Sequence, residues 1–183
     1  MMRIITGKAR GVKLDTLDGL STRPTTEKVK EAIFSTIQFE IEGRRVLDLF
    51  SGSGQMALEA LSRGAIAATL VDSSKEAAEI IRKNAIKTKL FSDVKLIVSD
   101  YKSAIMKLKN TEKFDIVFCD APYAAKLTSD AIERVIRAGL LSENAVVITE
   151  SDEETPYEFK GLTVRRHKGY GKTYITVYDI EKD

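Results

Sequence analysis

Two short stretches of this chain carry residues that could do chemistry. Residues 48–54, Asp48-Leu49-Phe50-Ser51-Gly52-Ser53-Gly54, set a carboxylate just ahead of a glycine-rich turn. Residues 119–123, Cys119-Asp120-Ala121-Pro122-Tyr123, set another beside a proline and an aromatic ring. Glycines let backbone N–H groups approach a ligand closely and permit dihedrals closed to other residues. Pro122 cannot continue a hydrogen-bonded ladder, and it biases Ala121 toward an extended conformation, so the Ala121 carbonyl can project away from its strand. Asp120 and that carbonyl then form a pair of acceptors. Two acceptors match the two N–H bonds of an exocyclic amino group, and the Tyr123 ring can stack on the base that carries it.

Further carboxylates stand at corresponding places. Asp72 follows an apolar run 18 residues after Gly54, where it can accept from ribose hydroxyls, and Asp100 follows the next run. Asp100 could accept from an adenine amino group, with Tyr101 or its neighbours packing the ring. Together these features point to an adenosine-type cofactor. Gly52-Ser53-Gly54-Gln55-Met56-Ala57 also fits the dinucleotide pattern G-x-G-x-x-A, which keeps a nicotinamide cofactor in contention. Asp48 argues the other way: a carboxylate aimed into the turn repels a pyrophosphate but suits an ammonium and a sulfonium. S-adenosylmethionine carries both. The plain alternative is that these aspartates only cap helices and hold loops.

The elements that must position these residues follow from periodicity. Residues 2–6 and 12–16 read as strands around the glycine-marked loop 7–11. Pro24, with Thr25 or Thr26 as cap, opens a helix carrying Val29, Ala32, Ile33 and Ile37 at helical spacing. Strands at 45–50, 67–71, 94–98, 114–119 and 145–149 then alternate with helices at 55–63, after Ser73, at 101–109 and at 127–138. Ser73 and Glu76 form a capping-box pattern. Near-continuous apolar strands alternating with helices indicate a parallel sheet covered on both faces. The end, LTVRRHKGYGKTYITVYDI, reads as two strands around a turn at 168–172, an antiparallel hairpin on the sheet's edge.

The totals exclude several classes. A chain of 183 residues, 43% hydrophobic and 31% charged, is one globular domain with a core large enough to need no staple. One cysteine forbids an intrachain disulfide and suits a reducing cytosol, and one histidine with one cysteine cannot build a His/Cys zinc site. Cys119 ends an apolar strand and reads as core. A Ser-His-Asp hydrolase would depend on His167, which lies in a basic segment. No apolar run resembles a signal peptide or approaches the roughly 20 residues needed to span a bilayer. The net charge is only +2, but residues 1–14 and 160–172 carry bases without acids. If the fold joins these ends, they make a phosphate-tracking face.

The succession DLFSGSG, VD, SD and DAPY is similar to the class I S-adenosylmethionine-dependent methyltransferases that act on exocyclic amines of bases. GKARGVKL followed by STRPTTEKVKEAIFSTI resembles, more narrowly, the RsmD family, which methylates guanine N2 in 16S ribosomal RNA. The resemblance spans essentially the whole chain. It implies one α/β methyltransferase domain over residues 1–183, with residues 1–22 as an RNA-contacting hairpin extension. The sheet is then Rossmann-like: doubly wound, mostly parallel, seven-stranded, and ending in the antiparallel hairpin. Cofactor binding falls to Asp48, Phe50, Ser51, Gly52, Ser53, Gly54, Asp72, Ser73, Asp100 and Tyr101, and catalysis to Asp120, Ala121, Pro122 and Tyr123. Lys8, Arg10, Arg23, Arg165, Arg166 and Lys168 are the expected RNA contacts. The implied partner is 16S ribosomal RNA or the small ribosomal subunit, in the cytoplasm, with no metal and no membrane. Ala121 departs from the family's usual Asp-Pro-Pro-Tyr or Asp-Pro-Pro-Phe turn. Adenine-N6 methylation, or RNA-binding assembly work without turnover, are the other readings.

Overall fold

The structure is a computed structural model that describes residues 2–17, 26–122 and 125–182. Thr26 caps helix α1 (Glu27–Thr36), accepting from the Val29 amide, while Pro24 and Thr25 lie outside the described residues. Then follow β1 (Arg45–Asp48), α2 (Gln55–Ser62), β2 (Ala67–Asp72), α3 (Lys75–Lys87) and β3 (Val94–Val98). The rest are α4 (Tyr101–Leu108), β4 (Phe114–Cys119), α5 (Ala125–Arg137), β5 (Leu141–Ser151), β6 (Leu162–Tyr170) and β7 (Thr173–Ile180). The strands form one seven-stranded sheet in the order β3-β2-β1-β4-β5-β7-β6. Pairing is parallel from β3 to β5; β7 joins β5 antiparallel, and β6 joins β7 antiparallel.

Strand order reverses between β1 and β4, and ligands of such sheets bind at the carboxyl ends of the strands beside that reversal. The glycine turn follows β1 and Asp120 follows β4, so both candidate motifs stand at that reversal. Two apolar layers hold the sheet. One contains Ile33, Phe34, Leu58, Leu61, Ile81 and Phe118 beneath α1, α2 and α3; the other contains Ile105, Phe114, Ile132, Val135 and Tyr178 beneath α4 and α5. Among the described residues no helix is long and apolar enough to cross a membrane.

Three local expectations need correction. The N-terminal hairpin pairs only briefly, about one bridge between Arg3 and Lys13, where the Ile4 amide donates to the Val12 carbonyl and the Leu14 amide to the Met2 carbonyl, both at 3.0 Å. The amides of Ile5 and Thr6 turn instead to the buried Glu59 carboxylate of α2, at 2.9 and 3.0 Å. The loop at its tip packs on Ser62, and a Cβ on Gly7 (φ +92°) would lie 1.8 Å from the Ser62 carbonyl oxygen. Secondly, Ser74, not Ser73, caps α3, accepting from the Ala77 amide at 3.2 Å. Asp72 wins this choice by accepting from the Ser74 amide at 2.9 Å, which fixes the turn one residue later. Thirdly, β1 ends at Asp48, because Leu49 and Phe50 already bend toward the glycine turn.

α2 is buried on every side, from Gln55 to Ser62. The sheet covers one face, and α1 with the N-terminal arm covers the other. Glu59, fully buried, can stay there because Lys30 approaches at 3.4 Å, Arg63 donates at 2.9 Å and two arm amides complete its shell. Lys30 is buried too, and its ammonium also donates to the Arg3 carbonyl at 2.6 Å. Burial lowers the Lys30 pKa, and Glu59 opposes that shift.

Candidate functional site

Asp48 is buried, whereas Asp72, Asp100, Asp120 and Glu150 at the neighbouring strand ends are not. It lies opposite Leu70 of β2 and Phe118 of β4 and is 3% exposed. The backbone amides of Phe50 and Ala57 favour its ionised form, yet its Oδ2 has no hydrogen-bond partner among the described residues. Loss of hydration, and next the charge of Asp72, push its pKa up to about 7. A buried carboxylate oxygen without a partner is costly, and a cationic group beside it would offset that cost.

The turn is fastened from both sides. Ser51 Oγ donates to the Asp48 carbonyl at 2.8 Å and accepts from the Val71 amide at 3.1 Å. Gly54, at φ +80°, sits against Leu70 and Ile81 and admits no larger residue without strain. The Gly52 amide donates to Asp72 Oδ2 at 2.9 Å. Asp72 therefore shapes the turn through one oxygen and the start of α3 through the other, and its side chain stays half-exposed. Ser73 beside it is exposed.

Asp100 caps α4, accepting from the Ser103 amide at 3.0 Å and the Ser103 hydroxyl at 2.7 Å. These bonds hold its carboxyl below the usual range. Phe50 and Tyr101 bring their ring centroids within 5.5 Å, and the Tyr101 hydroxyl donates to Asp130 at 2.6 Å. An aromatic wall thus stands between the glycine turn and α4, braced by Asp130 and by Arg134, which donates to the same Asp130 oxygen at 2.7 Å.

Asp120 comes one residue after Cys119, which pairs with Thr149, so Asp120 stands beside Glu150 on the neighbouring strand. Asp120 keeps an exposed edge, and crowding by the surrounding chain, followed by the charges of Glu150 and Asp48, raises its carboxyl above the ordinary range. Ala121 is half-buried and Pro122 exposed; Tyr123 lies outside the described residues. Cys119 is buried, and burial pushes its thiol up, which makes it a poor nucleophile. Asp100, Asp72, Asp48, Asp120 and Glu150 thus follow one another at the ends of β3, β2, β1, β4 and β5.

The basic residues divide. Lys8 and Arg10 occupy the tip that packs on Ser62, at the far end of α2 from the glycine turn, about 10 Å along the helix axis. Lys8 lies 3.9 Å from Asp93. Arg165 is spent on two carboxylates, Glu40 at 2.6 Å and Asp179 at 2.9 Å, which raise its pKa. Arg166 and Lys168 are exposed on β6, while Arg23 lies outside the described residues. Arg3 of the arm meets Glu27 at the start of α1, and Arg166 of β6 meets Thr36 at its end.

Sequence reasoning missed Glu59, Asn84 and Glu150. Glu59 left a trace, as a lone acid in the apolar stretch Met56–Leu61, where every helical face is apolar. Asn84 and Glu150 left none, because only packing and strand register reveal their roles.

Comparison with known proteins agrees with this geometry. The family model described as Conserved hypothetical protein 95 matches residues 2–179. The Ribosomal RNA small subunit methyltransferase D of Escherichia coli strain K12 is 32% identical over 182 residues, covering 98% of this chain and 90% of the relative. The protein of the same name from Haemophilus influenzae is 33% identical over 156 residues, 85% of this chain and 81% of the relative. A solved Escherichia coli chain carried under a provisional methyltransferase name superposes with a TM-score of 0.89 at 29% identity, covering 100% of this chain and 99% of that one.

Proposed function

This chain belongs to the Conserved hypothetical protein 95 family, and from that premise we propose that it methylates the exocyclic N2 amine of a guanine in 16S ribosomal RNA. S-adenosylmethionine is the methyl donor, and in that role it supplies an electrophilic methyl group on a sulfonium. The observation that carries the reading is the pairing of Asp48, with its unpartnered buried oxygen, and Asp120 across the sheet's reversal point. Asp48 would take the donor's ammonium, the glycine turn its backbone, and Asp72 its ribose. Phe50, Ser73, Asp100 and Tyr101 would line the adenine end.

Guanine N2 is a poor nucleophile, because its lone pair is delocalised into the ring. Asp120 and the Ala121 carbonyl would each accept one N–H bond, turn the lone pair toward the methyl group and stabilise positive charge growing on nitrogen. As the carboxylate nearest the target amine, Asp120 would take up the proton that the amine releases. Pro122 orients the turn, and Tyr123 is assigned stacking on a base presented out of its helix. The chain would act as one domain, in the cytoplasm where ribosomal RNA is assembled.

The test is labelled methyl transfer to ribosomal RNA and to small subunits from cells lacking the protein, followed by nucleoside mass spectrometry. N2-methylguanine is expected, and N6-methyladenine would move the assignment to adenine. Asp120→Ala should keep the fold and cofactor affinity while transfer falls roughly a hundredfold, about 3 kcal/mol. Tyr123→Phe should be mild and Tyr123→Ala severe. Loss of cofactor binding in Asp120→Ala, with chemistry spared, would overturn the amine site. Absence of turnover on every ribosomal substrate would favour a non-catalytic assembly role.

A further inference from the structure

β6 is the outer strand of the sheet, and its side chains alternate between two faces. Arg166, Lys168 and Tyr170 share the face toward α1, opposite Val177, Ile175 and Thr173 of β7. They form one wall of a shallow groove whose floor is Ile175 and Val177 and whose other wall includes Thr36 of α1. Arg166 Nη1 donates to Thr36 Oγ1 at 3.4 Å, and Lys168 Nζ stands 5.4 Å from the Tyr170 ring centroid.

Strand register connects this groove to the site. Lys168 pairs with Ile175, Ile175 with Glu150, and Asp120 stands beside Glu150. These residues form one row across β6, β7, β5 and β4. With neighbouring strands about 4.8 Å apart, Lys168 is about 14 Å from Asp120 along the backbone row. A stacked strand covers that span in about four nucleotides at 3.4 Å each. The row is acidic at the catalytic end, where an amine must be received, and cationic at the other, where phosphates could be held. Cations and an aromatic ring at alternate positions over an apolar floor are what a single strand needs, phosphates paired and a base stacked.

We propose that this groove is the track for a single-stranded RNA segment adjoining the target nucleotide, with Arg166 and Lys168 meeting its phosphates and Tyr170 stacking on one base. The inference rests on the methyltransferase reading above, and it places the main RNA grip on β6, away from the arm tip that carries Lys8 and Arg10.

The experiment measures ribosomal RNA affinity across salt concentrations for the full chain and for Lys168→Ala, Tyr170→Ala and Tyr170→Phe. Cofactor affinity and melting temperature report the fold. Lys168→Ala should weaken binding and reduce the slope of log K against log salt by about 0.7 to 1. Tyr170→Ala should weaken binding about tenfold with the slope unchanged, and Tyr170→Phe should restore it. Cofactor affinity should stay constant throughout. Unchanged affinity and slope in both alanine variants would overturn the track. Loss of binding to whole subunits, with free RNA binding intact, would also overturn it by putting a protein in the groove. Because affinity is read directly, a wild-type chain that transfers no methyl group would sink only the guanine reading.

Discussion

The buried carboxamide of Asn84, on α3, donates to the Ser53 carbonyl of the glycine turn at 2.9 Å. The same group donates to the Asp15 carbonyl at 3.0 Å and accepts from the Asp15 amide at 2.8 Å. One side chain therefore ties the glycine turn to the N-terminal arm. The Ser53 hydroxyl adds a contact to Met2 Sδ at 3.1 Å.

Asn84→Ala removes these bonds and leaves buried backbone groups without partners, at a cost of about 3 kcal/mol. Cofactor affinity should fall about tenfold or more, because the turn loses its fastening from below. Urea unfolding and calorimetry check the two effects separately. Asn84→Asp should be no better, since it would aim a carboxylate at two carbonyls. Unaltered cofactor affinity in Asn84→Ala would mean that Ser51, Gly54 and Asp72 hold the turn without help.

The Glu59–Lys30 pair makes a second prediction. Glu59→Ala strands the Lys30 ammonium in the interior and frees the Ile5 and Thr6 amides, so stability should drop by about 3 to 5 kcal/mol. Lys30→Met combined with Glu59→Leu should cost clearly less than the two single changes summed, because the pair is lost together. Denaturant titration gives the cycle, and strict additivity would show that the charges do not interact. Amide exchange at residues 5 and 6 should speed up in Glu59→Ala.

Asp48 links pH to stability. The folded protein keeps its proton up to about pH 7, whereas an unfolded aspartate loses it near 3.9. Between those values the native state holds more protons than the unfolded state, so stability falls as pH rises, by at most about 1.4 kcal/mol per unit. Over the window this comes to about 4 kcal/mol. Asp48→Asn should therefore stabilise the cofactor-free protein at pH 8 and flatten the melting profile between about pH 4 and 7. The same change should weaken S-adenosylmethionine binding, the usual exchange of stability for function at a strained site. For the unaltered protein near pH 6, binding should release up to about one proton, read by calorimetry in buffers of different ionisation enthalpy. A melting profile that Asp48→Asn leaves unchanged would show that Asp48 is already ionised in the fold.

Much of the site was legible because its chemistry is local. A glycine turn behind an apolar strand, with an aspartate before it and others at the next strand ends, is a pattern of adjacent residues. Helix caps were nearly so: the choice between Ser73 and Ser74 turned on whether Asp72 would reach the Ser74 amide. Charge was the poorest guide. Arg165, Arg166 and Lys168 look alike in sequence, yet a register shift between Val164 and Arg166 separates Arg165, which is neutralised by Glu40 and Asp179, from the groove-facing pair.

What the sequence by itself determined was the order of strands and helices, the two motif turns and the class of cofactor, because apolar periodicity, glycine and proline act within a few residues. Tertiary structure alone decided which distant residues would meet. It set Glu59 and Lys30 against the arm, Asn84 beneath the glycine turn, Glu150 beside Asp120, and the Lys8–Arg10 tip at the far end of α2. Those outcomes depend on strand register and on buried polar groups finding partners, and both are settled only when the whole sheet and its covering helices have closed around them.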